Sequence, residues 1–467
     1  MSVRPAAGIA FPVTVPVLVI GAGACGLAAA LAAHDAGAEV LVLERDRVPR
    51  GSTALSSGFI PAAGTRFQRE KGIADSPSLL AADLFAKNKH RSDPAVTAHV
   101  AERAGPTLEW LADRHGIPFT VVEGFLYAGH QALRMHATPK RTGADLMDRL
   151  LAAIDAAGIE ILTDATVTAL YADPDRRVRG VEIRRPDGSG ERIGCGALVL
   201  ACSGYGGDPA LVRQHIPEMG DALYFGHAGN RGDALRWGEA LGGFSRDLGA
   251  YQGHGSVAHP YGILITWALM MEGGFQVNRE GHRFSHENRG YSEQAVDVLQ
   301  QPGGVAFDIY DERLHRLGLD FEDYRAAAEA GAVRSAPDIE TLAARLAIPA
   351  AELAQTLVET REMAAGERTD PFGRDFTQKP PLSPPFYGVQ VTGALFHTQG
   401  GVEIDAEARV LRRGGTALPN LLAGGGAARG LSGPERDGYL SGGGLLSAVV
   451  LGRIAGETAA RITGELR

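Results

Sequence analysis

Val15-Pro-Val-Leu-Val-Ile-Gly-Ala-Gly-Ala-Cys-Gly26 is the segment that decides the fold of this chain. Its first six residues predict a short buried strand, and the alanine-rich stretch 27–37 behind its glycines predicts a helix. A second apolar run, Glu39-Val-Leu-Val-Leu43, predicts another buried strand that ends at Glu44. A strand, a glycine turn, a helix and a strand in this order predict a Rossmann-type βαβ unit.

The glycines and the acid of this unit each have a physical role in binding a dinucleotide. Gly21 permits a tight turn, Gly23 lets the backbone approach a pyrophosphate, and Gly26 lets the helix pack closely on the strand. The helix N-terminus offers N–H groups and a partial positive charge to the pyrophosphate. Glu44 is placed to accept hydrogen bonds from a ribose. We therefore predict a dinucleotide site here, with a purely structural turn as the alternative.

The composition is that of a globular protein with more than one domain. The chain has 467 residues, of which 45% are hydrophobic and 22% are charged. Its 62 glycines follow no collagen-like period, so we expect them in tight turns and at close backbone approaches. Such a distribution suits a protein that is wrapped around a large cofactor.

Charge and cysteine content exclude several classes of function. The net charge is −9 and no run of Lys and Arg is present, so we expect no nucleic-acid partner. No apolar run is long enough for a membrane span, and residues 1–16 lack the pattern of a signal peptide. Cys25, Cys195 and Cys202 form no CxxC motif, which predicts reduced, buried thiols and no metal site. We expect a cytoplasmic protein.

Glycine clusters elsewhere in the chain indicate which dinucleotide is bound. The run Ala197-Leu-Val-Leu-Ala201 predicts another buried strand, and the glycine-rich residues 204–207 follow it. Further clusters lie at 51–58 and 424–426. Clusters so far apart can line one long cofactor, which favours FAD over a nicotinamide.

The sequence changes in character at about residue 246 and again near residue 385. Aromatic, His and Met residues cluster at 251–291, a polar helix-rich stretch follows, and four prolines close it by 385. We predict a domain at 246–385 that is inserted into the dinucleotide-binding domain, whose two parts are 1–245 and 386–467. The predicted fold class is α/β with a parallel sheet.

Several motifs together resemble one protein family. They are Gly21–Gly26 with Glu44, Gly51–Gly58, Ala201–Gly206, Val277–Phe284, His397–Gly401 and Gly438–Gly444. In this order they resemble the fumarate reductase/succinate dehydrogenase flavoprotein superfamily, and within it the 3-ketosteroid dehydrogenases. The resemblance implies a Rossmann-type FAD-binding domain interrupted by an α+β capping domain, with substrate held between them. It also implies non-covalent FAD, because Ser52 stands where some relatives carry a flavin-linking histidine.

The resemblance implies a set of FAD-binding residues drawn from all the glycine-rich segments. The expected set is Gly21, Gly23, Ala24, Cys25, Gly26, Glu44, Arg45, Ser52, Thr53, Ser56, Ser57, Gly58, Val167, Ala201, Ser203, Gly204, Gly425, Gly444, Leu445 and Leu446.

Two tyrosines set this chain apart from fumarate reductases. Tyr291 and Tyr439 occupy positions where those enzymes carry arginines for a dicarboxylate. Without arginines a diacid would lose its bidentate partners, so fumarate and succinate are disfavoured. Both tyrosines match the 3-ketosteroid dehydrogenase pattern, as does Gly443 four residues after Tyr439.

The resemblance therefore implies desaturation of the Cα–Cβ bond next to a ketone. Tyr439 O–H and Gly443 N–H would bind the carbonyl oxygen, Tyr291 would take the α proton, and hydride would pass to flavin N5. Tyrosine needs a lowered pKa to act as a base. The candidates for this influence are Tyr127, Tyr251, Tyr261, His254, His286 and Arg289. The expected substrate-binding set is Tyr439, Gly443, His397, Tyr127 and Tyr251.

The expected substrate is a small hydrophobic ketone, either a 3-ketosteroid or a smaller cyclic ketone such as cyclohexanone. A quinone, a dye or oxygen would accept the electrons. One alternative is an ene-reductase of an activated alkene, similar to fumarate or urocanate reductases. Another is a flavoprotein subunit of a larger complex. Tyr291 and His397 also have a packing interpretation, and Arg283 with Glu287 predicts a structural ion pair.

Overall fold

The computed structural model of the protein describes residues 2–464. Its strands are β1 Ser2–Pro5, β2 Val13–Ile20, β3 Val40–Leu43, β4 Ile60–Pro61, β5 Thr120–Val121, β6 Met135–Ala137, β7 Glu160–Leu162, β8 Thr166–Ala172, β9 Val178–Arg184, β10 Gly190–Leu200, β11 Leu223–Tyr224, β12 Ser245–Arg246, β13 Tyr251–Ala258, β14 Ile263–Leu264, β15 Phe275–Val277, β16 Val305–Asp311, β17 Val333–Ala336, β18 Phe386–Thr398, β19 Gly401–Val402, β20 Arg409–Leu411 and β21 Ala417–Ala423.

The α-helices are α1 Ala24–Asp35, α2 Gly51–Ala54, α3 Arg66–Glu70, α4 Pro77–Lys87, α5 Pro94–His115, α6 Gly143–Ala156, α7 Pro209–His215, α8 Asp233–Ala240, α9 Ala268–Met271, α10 Tyr291–Leu299, α11 Glu312–Gly318, α12 Glu322–Glu329, α13 Ile339–Leu346, α14 Ala350–Ala364 and α15 Gly443–Gly464. Short 3₁₀ turns lie at Pro217–Met219, Glu287–Arg289, Pro302–Gly304, Gly425–Ala427 and Arg436–Gly438. No helix of residues 2–464 is long and apolar enough to cross a membrane.

A nine-stranded sheet confirms the predicted dinucleotide-binding fold. Its strand order is β1-β8-β9-β10-β2-β3-β7, and β21 with β20 extends it from β10. Strand β2 pairs in parallel with both β3 and β10, and β10 pairs in parallel with β21. Strands β8 and β9 form an antiparallel pair. The carboxyl ends of β2, β10 and β21 therefore meet at one edge of the sheet, where α/β folds bind their ligands.

Two glycines bring the C-terminal helix against the first helix. A Cβ atom added to Gly452 or Gly456 of α15 would overlap the carbonyl oxygen of Cys25 or Ala29 on α1. The two backbones are thus in direct contact, which residues with larger side chains would prevent. This packing fixes the N-terminus of α15 close to the glycine turn after β2.

A second, seven-stranded sheet forms the core of the other layer. Its order is β14-β13-β18-β16-β15, and β11 and β17 also pair with β18. Strand β18 opens the segment 386–467, which we predict to belong to the dinucleotide-binding domain, and it pairs with β13, β16 and β17 of this second sheet. The apolar pattern predicts a buried strand correctly, but a pattern cannot tell which sheet a strand joins. The domain limits at 245 and 385 stay predictions.

Candidate active site

Two cavities meet at the carboxyl edge of the first sheet. The dinucleotide cavity encloses about 840 Å³ of empty space around the glycine turn. The reaction cavity encloses about 1070 Å³ and extends toward the second sheet. Both are lined by the same five residues where they join, which are Ser52, Thr53, Ser203, Gly426 and Ala448. The arrangement forms one long recess, as a two-ended cofactor such as FAD requires.

The glycine turn accepts only glycine at two of its positions. Gly21 has φ +106°, and a Cβ atom there would come 2.5 Å from the Ala201 carbonyl oxygen. A Cβ atom on Gly26 would overlap the Gly21 carbonyl oxygen. The chain therefore passes close to β10 and into α1 without side chains in the way, which is the close packing that such a turn requires.

The donors and acceptors of the dinucleotide cavity fit FAD. Helix α1 begins after Gly23, which has no side chain to cap it, and no acid lies in its first turn. The Ala24 N–H donates to Thr53 Oγ1 at 3.1 Å, and the partial positive charge of this helix end favours an anion. The Glu44 carboxylate lines the cavity and accepts N–H bonds from Ala22 at 2.9 Å and Asp46 at 3.0 Å. A carboxylate held in this way keeps further acceptor capacity for ribose hydroxyls.

The predicted cofactor residues divide into three groups. Those on the dinucleotide cavity are Gly21, Gly23, Ala24, Cys25, Glu44, Arg45, Ser52, Thr53, Val167, Ala201, Ser203 and Gly425. Those on the reaction cavity include Ser56, Ser57, Gly58, Gly444 and Leu445. Gly26, Gly204 and Leu446 line neither cavity and instead allow or form close packing.

Arg45 and Ser52 have partners within the protein. Arg45 binds the Gly229 carbonyl oxygen at 2.7 Å and the Asp233 carboxylate at 3.0 Å. The Ser52 hydroxyl accepts hydrogen bonds from the His227 N–H at 3.0 Å and the Asn230 amide at 2.9 Å. Both residues therefore build the wall of the dinucleotide cavity.

The reaction cavity brings together most of the residues predicted for catalysis. Tyr291, Tyr439, His397 and Tyr127 all line it. The ring centroid of Tyr291 lies 6.2 Å from that of Tyr439 and 6.0 Å from that of Tyr127. These three phenols come from the start of α10, the segment before α15 and the loop between β5 and β6, so the fold assembles them from distant parts of the chain.

Two predicted substrate residues lie elsewhere. Tyr251 is fully buried in the core and does not line the reaction cavity. Its neighbours Gln252 and His254 do line the cavity, because alternate residues of β13 point to opposite faces. The Gly443 N–H donates to the Leu440 carbonyl oxygen at 2.9 Å, so it has a partner in the protein and is not free for a substrate oxygen. Because side chains alternate between the two faces of a strand, the positions of Tyr251 and His254 in the sequence already place them on opposite faces.

Burial keeps the tyrosines of the cavity protonated. It raises the pKa of Tyr291 to about 12, although hydrogen bonding with Ser441 and Tyr439 lowers it. Burial also raises the pKa of Tyr439 well above its usual value and raises that of Tyr127. The shift of Tyr291 is therefore opposite to the one expected of a base. Of the residues considered for lowering it, His254 and Tyr127 contact its ring, whereas Tyr261 is largely exposed.

His254 is a neutral imidazole that lines the reaction cavity. Its Nδ1 accepts a hydrogen bond from the Ser256 N–H at 3.1 Å, so the proton of the neutral ring is on Nε2. Burial lowers the pKa of His254 to about 3, which keeps the ring uncharged at neutral pH. The backbone of β13 thus fixes the tautomer of this ring, and burial keeps it uncharged.

His397 has the same character. Its Nδ1 lies 3.0 Å from Gln399 Nε2, nearer than the Thr398 carbonyl oxygen at 3.4 Å, and Gln399 Oε1 accepts a bond from Ser432. We assign the ring proton to Nε2 on this geometry. Burial lowers the pKa of His397 to about 4. An added Cβ at Gly444 would overlap this ring, which places the imidazole against the first turn of α15.

Charged side chains are missing from the lining of the reaction cavity, as far as residues 2–464 show. The nearby charges are paired with one another. Arg289 binds Asp297 at 2.7 Å and Lys87 binds Glu293. The predicted pair of Arg283 and Glu287 is present at 2.8 Å, and Arg374 and Asp370 join it in a buried cluster.

Comparison with known proteins assigns the chain to a family. The model of the FAD binding domain family matches residues 16–441, so the chain belongs to this family and is an FAD-dependent oxidoreductase. This confirms FAD as the cofactor and the membership predicted from the glycine motifs.

Three relatives show how broad that family is. The chain is 28% identical to an NADH:fumarate oxidoreductase of Klebsiella pneumoniae over 456 residues, which are 97% of this chain and 48% of that protein. It therefore spans about half the length of that relative. An open flavocytochrome c3 fumarate reductase is similar in structure, with a TM-score of 0.81 and 27% identity over 98% of this chain and 80% of the other.

The third relative is a 3-ketosteroid-Δ4-(5α)-dehydrogenase of Rhodococcus jostii RHA1, in complex with 4-androstene-3,17-dione. Its TM-score is 0.78 and its identity is 25%, over 98% of this chain and 99% of the other. The fold and the oxidoreductase class are therefore established, and both fumarate reductases and a ketosteroid dehydrogenase lie among the similar proteins.

Proposed function

We propose that this oxidoreductase removes two hydrogens from the Cα–Cβ bond next to a ketone, in a 3-ketosteroid or a smaller cyclic ketone such as cyclohexanone. The observation that carries the proposal is the lining of the reaction cavity, where the described residues contribute apolar and neutral polar side chains only. A carboxylate would enter this cavity without a cation, and burying an unpaired charge is costly. A neutral ketone has no such penalty.

The ketone oxygen needs donors that favour the negative charge it gains as the α proton leaves. Tyr439 and His397 supply an O–H and an Nε2–H, and their rings meet edge to face at 5.6 Å. Removing one such donor from an oxyanion site costs about 3–4 kcal/mol in known cases. His397 takes the place that we expected for Gly443, whose N–H is bound to Leu440.

Tyr291 is the group proposed to accept the α proton. It lines the cavity beside Tyr439 and lies where the first turn of α10 faces the second sheet. With a pKa of about 12, only a small fraction of Tyr291 is phenolate at neutral pH, so the rate of proton removal should increase with pH.

FAD would be held non-covalently by the turn at Gly21 and Gly23, the N-terminus of α1 and Glu44, and when bound it supplies the two-electron acceptor for the hydrogen on Cβ. Ser52, at the position of the flavin-linking histidine in some relatives, uses its hydroxyl for His227 and Asn230. Ser52 therefore stands in place of the histidine that would form the covalent link, and its hydroxyl is hydrogen-bonded within the protein.

The opposite direction is a second candidate, because Tyr291 is protonated. A phenol with a raised pKa is a proton donor, as the reduction of an α,β-unsaturated ketone requires. Most of the proteins similar in sequence are named for fumarate, but the uncharged cavity disfavours fumarate and urocanate alike. This candidate is therefore a reductase of an uncharged activated alkene.

Anaerobic absorbance spectroscopy of the purified protein tests both candidates. Bleaching of the flavin by cyclohexanone or a 3-keto-5α-steroid, lost in Tyr439→Phe, supports desaturation. Re-oxidation of the pre-reduced protein by an enone, without bleaching by any ketone, supports reduction. Bleaching by succinate alone would contradict both, since it would require a cation in the cavity.

A further inference from the structure

Four aromatic rings form a continuous stack along one wall of the reaction cavity. Phe225 and Phe396 lie 4.7 Å apart, Phe396 and His254 lie 5.2 Å apart, and His254 and Tyr291 lie 4.8 Å apart, as centroid distances. The interplanar angles of these pairs are 21°, 22° and 23°. All four residues line the cavity, so each presents part of its ring to whatever binds there.

The stack is built from separate elements of the second sheet and the helix that packs on it. Phe396 belongs to β18, His254 to β13, Tyr291 to α10, and Phe225 follows β11, with its N–H bound to the Leu395 carbonyl oxygen at 2.7 Å. Offset stacking of this kind is stabilising beyond the burial of area. Trp267 packs edge to face on His254 at 5.7 Å and supports the middle of the stack from behind.

The two ends of the stack differ in character. Tyr291 lies at the polar end, beside Tyr439. Phe225 is half-buried at the apolar end, where it packs with Leu264 and Phe396. Leu55, which lines the same cavity, is 45% exposed to solvent. The wall that the stack forms is thus apolar away from the tyrosines.

We propose that this stack, and Phe225 in particular, selects ketones with several fused rings over monocyclic ketones. The inference rests on the proposed function, which places the carbonyl group at Tyr439. A single six-membered ring held there contacts the stack near Tyr291 and His254 only. The rings of Phe396 and Phe225 then remain in contact with water. A ketone with further flat apolar rings covers Phe396 and Phe225 as well, and each added contact removes more apolar surface from water.

The test uses the holoenzyme and three ketones of increasing size, namely cyclohexanone, a decalone and a 3-keto-5α-steroid. Binding to the oxidised protein is measured by calorimetry, and anaerobic flavin reduction gives kcat/KM. We expect affinity and kcat/KM to increase with ring number. Phe225→Ala should lower both about tenfold for the steroid and less than about twofold for cyclohexanone, because one apolar contact in a pocket is worth about this much.

Two further variants make the outcome specific. Phe225→Leu keeps apolar volume but removes the ring, and it should restore most of the steroid affinity if contact area is what matters. Phe372→Ala is a matched control, because Phe372 is 38% exposed in the inserted domain and lies outside the reaction cavity. It should leave the ring-size preference unchanged.

Equal affinity for the three ketones, or an equal loss for all three in Phe225→Ala, would overturn the inference. Turnover of every ketone with no preference for size would leave the proposed function standing. Binding that follows ring number without any flavin reduction would support the stack and refute the proposed desaturation. The two failures are therefore distinguishable.

Discussion

The ring of Tyr291 lies 6.2 Å from the ring of Tyr439, and both phenols are buried and protonated. Two protonated phenols on one cavity suit a carbonyl substrate, because one can bind the oxygen while the other exchanges a proton with the α carbon. The dependence of kcat/KM on pH should therefore show whether the protein removes hydrogen from its substrate or adds it.

Desaturation and reduction should show different pH profiles. If Tyr291 accepts a proton, only its phenolate is active, and kcat/KM should increase about tenfold per pH unit toward the pKa of about 12. If Tyr291 donates a proton, kcat/KM should stay flat up to that pKa and fall above it. Stopped-flow flavin kinetics between pH 6 and 10 separate the two. Tyr291→Phe should abolish the dependence on pH, and a variant that keeps it would remove Tyr291 from the proton transfer.

His397 should contribute through its Nε2–H. We expect His397→Leu to lower kcat/KM about a hundredfold, since it removes a donor from an oxyanion site. His397→Gln keeps an N–H donor on a side chain of similar length and should recover part of this loss. Steady-state kinetics with one ketone measure both variants. Equal losses in the two, with FAD content unchanged, would mean that the ring acts through packing against Gly444.

The glycine turn should be indispensable for holding FAD. A Cβ atom in Gly26→Ala would overlap the Gly21 carbonyl oxygen, so helix α1 would have to move away from β2 and the pyrophosphate site would open. We expect the purified variant to contain less than about a tenth of the wild-type FAD and to gain little thermal stability from added FAD. Gly190→Ala is the matched control, because its new Cβ lies 3.7 Å from the Ile183 carbonyl oxygen. Full FAD content in Gly26→Ala would show that the turn is more tolerant than its geometry indicates.

The sequence predicted the dinucleotide half of the molecule well. Local rules govern that half, because a glycine with φ +106° at Gly21 and a buried strand on each side of it leave few alternatives. The two tyrosines singled out by the resemblance to ketosteroid dehydrogenases both line the reaction cavity, and their catalytic roles stay predictions.

The remaining features depend on long-range packing. The partner strands of β18 could not be predicted, because a run of apolar residues carries no information about them. The assignment of Tyr251 to the cavity failed for a simpler reason. Gln252 and His254 lie on the face of β13 that lines the cavity, whereas Tyr251 lies on the other face. The alternation of side chains along a strand is sufficient to predict this difference. The direction of the Tyr291 pKa shift required knowledge of how deeply the ring is buried.

Asp308 should make the stability of the protein depend on pH. The side chain is 1% exposed and accepts hydrogen bonds from Ser256 at 2.5 Å and Gln276 at 2.7 Å, and no cation pairs with it among the described residues. Burial raises its pKa to about 7. An aspartate in the unfolded chain titrates near about 3.9, so the unfolded state loses its proton first as the pH increases. The free energy of unfolding should therefore decrease between about pH 4 and pH 7, by up to ~4 kcal/mol.

Asp308→Asn should remove this decrease, because the amide cannot ionise and can keep hydrogen bonds to both neighbours. The measurement is the midpoint of urea unfolding of the FAD-bound protein at pH 5 and pH 8. We expect the variant to gain stability relative to the wild type at pH 8 and little at pH 5. Asp221→Asn is the control, since the Asp221 side chain is 95% exposed and should not alter the difference between the two pH values. If wild type and Asp308→Asn lose stability equally between pH 5 and pH 8, Asp308 is ionised in the folded protein, and the buried network with Ser256 and Gln276 tolerates its charge.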